Sequence, residues 1–136
     1  MTRVIMGKKG SGKTKQMIQM INAAAETENG NVVCIEYGKK LTFDVSHRIR
    51  LVESSAYPID DYAALRGFLS GLYAGNFDIT HIFVESLTKI VPGVCDANTE
   101  KFLDWTEDFG RSHDVKFTIT ISDDSSLAPE GVKKYF

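Results

Sequence analysis

The run Gly7-Lys8-Lys9-Gly10-Ser11-Gly12-Lys13-Thr14 has the residue types and spacing of an anion cradle. It meets the pattern G-x-x-x-x-G-K-[ST] at every fixed position. Glycines at 7, 10 and 12 permit backbone angles that a side chain would forbid, so the chain can turn tightly and aim successive N–H groups inward. A helix opening directly after the loop adds the positive end of its dipole at the same point. Lys13 is then placed to reach phosphates lying over the loop, and the hydroxyl of Thr14 to meet a bound Mg²⁺. The chemistry is the binding of a polyphosphate.

Such a loop needs a buried strand before it and a helix after it. Arg3-Val4-Ile5-Met6 is a short apolar run of strand type, and Met17, Ile18, Ile21, Ala24 and Ala25 form a helical stripe. With that context the chain resembles the P-loop NTPases. The resemblance implies ATP or another nucleoside triphosphate held with Mg²⁺ by Gly7, Lys8, Lys9, Gly10, Ser11, Gly12, Lys13 and Thr14. The absence of an N-K-x-D guanine signature favours ATP.

Within that superfamily the chain is most similar to a small stand-alone RecA-like ATPase domain. Ile82-Phe83-Val84-Glu85-Ser86 resembles the Walker B region, which implies Glu85 as the acid that supports Mg²⁺ together with Thr14. The family usually has Asp there, and the longer Glu puts efficient hydrolysis in question. Glu36, after Val33-Cys34-Ile35, is similar to the glutamate that orients the attacking water, so the resemblance implies Glu36 and Lys13 as catalytic residues. It also implies a polar sensor at the end of the last strand, where Ser122 and Asp123 stand. A charge-stabilising arginine raises the rate of such reactions strongly. Arg48 and Arg50 are the candidates, in cis or from a protein partner or a second copy of the chain.

These residues need elements to position them. The pattern predicts strands at about residues 2–6, 31–36, 81–85 and 115–121, and helices at about 12–27, 60–74 and 98–112. A short closing helix is expected from Pro129 to Phe136. Residues 39–53 break the rhythm: Leu41, Phe43 and Val45 alternate with polar residues, as do Ile49 and Leu51, which predicts a small antiparallel excursion. The fold class is α/β, a three-layer αβα sandwich with a mostly parallel sheet; the RecA-like resemblance implies that the last strand lies between the first and third. Ligands of such folds bind beyond the carboxyl ends of the strands. Gly67, Ser70, Gly71 and Ala74 in the second helix predict close approach by another element or a partner surface.

With 136 residues the chain has room for one nucleotide-binding domain, residues 1–136. A formal charge of −2 and no recognition motif give no reason to expect nucleic acid, although Lys39, Lys40, Arg48 and Arg50 could form a local patch. No apolar run approaches the ~20 residues that span a membrane. The chain enters its first strand at once, so no targeting segment is expected. Cys34 and Cys95 lack metal-ligand spacing and read as free thiols of a reducing compartment, the cytoplasm.

Three functions fit this set of residues. The first is a Mg-dependent ATP-binding protein with slow hydrolysis. The second is a nucleotide-dependent binding module or switch in which residues 37–58 or 91–98 respond to the bound nucleotide. The third is a small-molecule kinase using residues 37–58 as a lid.

Overall fold

The computed structural model describes all 136 residues. Five strands, β1 (Thr2–Gly7), β2 (Asn31–Glu36), β3 (Arg50–Glu53), β4 (Ile79–Val84) and β5 (Lys116–Ser122), form one sheet in the order β1-β5-β4-β2-β3. Every pairing is parallel. The helices are α1 (Lys13–Thr27), α2 (Tyr62–Gly75), α3 (Leu87–Ile90), α4 (Ala97–His113) and α5 (Glu130–Lys133).

A parallel sheet covered on both faces needs strands that are apolar on both sides. β2 shows how the alternation is used. Val32 and Cys34 pack with Met17, Ile21 and Ala24 of α1, whereas Val33 and Ile35 pack with Leu65 and Leu69 of α2 and Phe102 and Leu103 of α4. Helices therefore cover both faces of the sheet. Met17 and Ile21 are fully buried. Each contributes about 1.5–3 kcal/mol by leaving water, which seats α1 firmly behind the loop it follows.

β5 contains Thr118 and Thr120, both buried, and their hydroxyls are satisfied. Thr118 Oγ1 bonds His81 Nε2 at 2.9 Å, and Thr120 Oγ1 accepts the N–H of Ser86 at 2.8 Å. The central position of β5, between β1 and β4, matches the expected strand order. Helix starts follow side-chain caps: Asp61 accepts the N–H of Ala64, and Asp96 with Thr99 forms a reciprocal capping box. Trp105 packs between Phe102 and Phe109. Cys34 and Cys95 are both free.

Three expectations are corrected. Residues 39–53 make no antiparallel excursion. Consecutive turns carry the chain across the α1 face, and Arg50–Glu53 then adds a fifth parallel strand beside β2. The cause is a set of clamps that alternation cannot report. Glu36 accepts the N–H groups of Lys40 and Leu41, while Asn22 of α1 accepts from Ser46 N and donates to the Asp44 carbonyl. Leu41 is buried by this path and Phe43 is left in solvent.

The second correction concerns α2. A Cβ placed on Gly67 or Gly71 meets no atom within 4 Å, so these two glycines face open space and no other element approaches them closely. In the third, the closing helix ends at Lys133, and the carbonyl of Tyr135 accepts the N–H of Val4 at 2.8 Å, covering the edge of β1.

Candidate functional site

The glycine-rich loop joins β1 to α1, at the carboxyl end of the sheet. Gly10 has φ +85° and Gly12 φ +87°, both in the left-handed region that only glycine adopts at little cost. Between them the Ser11 N–H donates to the Lys8 carbonyl at 3.1 Å. The first N–H groups of α1 have no partner within the helix and point to its N-terminal end. The loop is therefore a cradle of backbone donors with a helix dipole behind it.

The Lys13 ammonium crosses the loop, donating to the Lys8 carbonyl at 3.0 Å and reaching Ser11 Oγ at 3.5 Å. Lys13 is only 8% exposed. Burial pulls its pKa below the usual lysine range, against the opposing attraction of Glu85. Lys8 turns the other way, its Nζ lying 3.7 Å from Asp124 on the surface.

A cleft of about 370 Å³ opens over the loop. Lys9, Gly10, Gly12, Lys13 and Thr14 form one wall. Gly7 pairs in register with Ser122, so the end of β5 lies beside the loop and Ser122 joins the lining, whereas Asp123 does not. β4 brings Glu85 and Ser86 to the same cleft. The Glu85 N–H donates to the Ile35 carbonyl, and its Oε1 accepts the Ser86 hydroxyl at 2.8 Å. Ser86 has φ 55° and ψ 67°, a left-handed conformation that costs a non-glycine residue about 1–2 kcal/mol. Its N–H bond to Thr120 holds it there, and its carbonyl accepts the Lys89 N–H at 2.9 Å to begin α3.

Of the residues expected from sequence, Lys9, Gly10, Gly12, Lys13, Thr14, Glu85 and Ser122 line this cleft, whereas Gly7, Lys8, Ser11, Asp123 and Glu36 do not. Glu36 is 2% exposed and does not line the cleft. Its Oε1 accepts the Lys40 N–H at 2.9 Å and its Oε2 the Leu41 N–H at 3.1 Å. Burial raises its pKa, the two N–H bonds oppose that rise, and neighbouring Glu85 adds to it.

The arginines also lie elsewhere. Arg48 pairs with Glu26 at 3.8 Å on the outside of α1, and Arg50 lines a second cavity of about 450 Å³ beyond β2 and β3, with Glu36, Lys39 and Tyr57. In their place, two lysines complete the cleft: Lys40, after β2, and Lys89, in α3. Lys89 is not among the residues expected from sequence, yet it carries a signal there. Each of these lysines stands four residues after a strand-end glutamate, Glu36 and Glu85.

Mg²⁺ takes one or two carboxylates and completes its shell with phosphate oxygens and water. The Thr14 hydroxyl and the Glu85 carboxylate face one cleft and supply only oxygen, a donor set that fits such a hard cation. No protein-family model matches the chain, and comparison with curated proteins finds no match.

Proposed function

We propose that the protein binds a nucleoside triphosphate, ATP in preference, with Mg²⁺, as a P-loop NTPase does. One observation supports this above the others. The loop between β1 and α1 holds Gly10 and Gly12 in left-handed backbone, and Lys13, Thr14 and Glu85 share its cleft. Four lysines against one carboxylate line that cleft, an excess of positive charge suited to a polyphosphate. The backbone donors of the loop hold the phosphates, while Thr14 and Glu85 hold the metal. Mg²⁺ supplies neutralisation of phosphate charge when bound.

Hydrolysis in this reading is slow. Glu36 is buried, does not line the cleft and is held by the N–H groups of Lys40 and Leu41, so orienting an attacking water over the loop would require the turn after β2 to move. The same observation favours a second reading, a nucleotide-dependent binding module in which the turn after β2 responds to the nucleotide. A kinase reading has only the second cavity near Glu36 to recommend it.

Calorimetric titration with Mg-ATP, beside an assay of phosphate release over several hours, tests the proposal. Binding is expected in the wild type and should weaken by about tenfold or more in Lys13→Ala with its circular dichroism unchanged. Equal affinity in the two proteins would remove the loop from nucleotide binding. Binding without release would select the module over the ATPase.

A further inference from the structure

Lys40 and Lys89 come from separate elements, yet both line the cleft over the glycine-rich loop. Neither ammonium has a carboxylate partner within salt-bridge distance, although Lys39, next to Lys40, pairs with Glu53 at 3.8 Å. Their side chains approach each other closely enough that contact with Lys40 is the main cause lowering the Lys89 pKa. Two flexible lysines in water would move apart. The backbone instead fixes the origin of each: Glu36 grips the Lys40 N–H, and the Lys89 N–H bonds the carbonyl of left-handed Ser86. Two ammonium groups that line one cleft without a carboxylate partner attract an anion into it.

Their place along the sheet says which part of the ligand that is. The loop follows β1, whereas Glu85 and Lys89 follow β4, two strand spacings or roughly 10 Å away. Lys40 follows β2, one strand further. A phosphate chain that starts in the loop and shares a metal with Glu85 ends toward Lys89 and Lys40. We propose that Lys40 and Lys89 bind the terminal phosphoryl group of a nucleoside triphosphate, so that the chain itself supplies the cationic charge facing that group. This rests on the nucleotide-binding reading above. It replaces Arg48, Arg50 or a partner's arginine as the source of charge.

The test is calorimetric titration of the wild type, Lys40→Ala, Lys89→Ala and Lys13→Ala with Mg-ATP and Mg-ADP, with the guanine nucleotides in parallel. Lys40 and Lys89 are exposed, so the variants are expected to fold, and circular dichroism checks this. Each alanine should cost about tenfold in triphosphate affinity and less than about twofold in diphosphate affinity. Lys13→Ala should weaken both nucleotides. If Lys40→Ala and Lys89→Ala keep wild-type preference for triphosphate while Lys13→Ala loses binding, this inference falls and the nucleotide reading stands. If the wild type binds none of the four nucleotides, both fall.

Discussion

Oε1 of Glu36 accepts the backbone N–H of Lys40 at 2.9 Å, and the Lys40 side chain lines the cleft that Glu36 itself does not reach. A buried carboxylate on β2 thus acts on the cleft through the turn it holds. Glutamine at 36 keeps the shape but presents an amide donor to one of two backbone donors, and hydrogen bonds to charged groups contribute about 1.5–3 kcal/mol. Glu36→Gln is therefore expected to loosen residues 40 and 41 and lower Mg-ATP affinity by about tenfold, in step with any loss of turnover. Parallel calorimetry and phosphate-release assays check this. Lost turnover at unchanged affinity would return Glu36 to the role of orienting water.

Gly12 tests the loop's backbone. Its φ of +87° forbids a cheap Cβ, yet a Cβ there would meet nothing within 4 Å. The penalty of Gly12→Ala is accordingly conformational, about 1–2 kcal/mol. Urea denaturation should show that loss, and nucleotide binding should fall further because the cradle must distort. A variant as stable as the wild type would mean the loop can take another shape.

The loop was legible because its constraints are local. Fixed spacing, glycines and a following helical stripe from Met17 to Ala25 all lie within one short stretch. β2 was legible because a doubly covered strand is an unbroken apolar run; in β4 only Ile82-Phe83-Val84 is such a run, so its start at Ile79, beyond Thr80 and His81, was not. The segment from Lys39 to Glu53 was not. Its path depends on the Glu36 side chain gripping the turn that follows it and on Asn22 of α1 gripping backbone far along the chain, and the alternation of Leu41, Phe43 and Val45 carries no trace of that. In fact Leu41 is buried and Phe43 is 98% exposed. Likewise a solvent lysine and a cleft lysine look alike in sequence. Only the strand order places Lys40 and Lys89 together.

Ser86 joins two effects that substitution can separate. Its left-handed backbone is a cost, and its hydroxyl bond to Glu85 Oε1 orients the carboxylate. Ser86→Ala removes the hydroxyl and keeps the strain, whereas Ser86→Gly removes both. The glycine variant should be the more stable of the two by about 1 kcal/mol in urea denaturation. Both should need more Mg²⁺ for half-maximal ATP binding than the wild type. Equal stability of the two variants would show that the surroundings do not hold this residue left-handed.

His81 sets the expected acid limit of the fold. It lies on β4, stacked on Phe83 at 4.1 Å between ring centroids, with Nε2 bonded to Thr118 Oγ1. Burial lowers its pKa to about 4; Glu28, 3.7 Å from Nδ1, opposes that shift, and Lys116 adds to it. The unfolded chain takes up this proton near pH 6.5, and the folded chain only near 4. Between those values the unfolded state binds more protons, so stability is complete above about pH 6.5 and falls as pH falls toward 4. The full loss for such a shift is roughly 3 kcal/mol. Glu28, whose own pKa is lowered, adds its loss below that window's upper part, as pH drops through the ordinary carboxylate range. Glu36 acts in the opposite sense, since its raised pKa means the folded state gains its proton first. Comparing variants isolates the histidine. In His81→Gln the amide can still bond Thr118, and the stability lost between pH 6.5 and 5 should shrink relative to the wild type. Denaturant titrations at several pH values measure it. Matching pH dependence in the two proteins would mean that His81 titrates alike in the folded and unfolded chains.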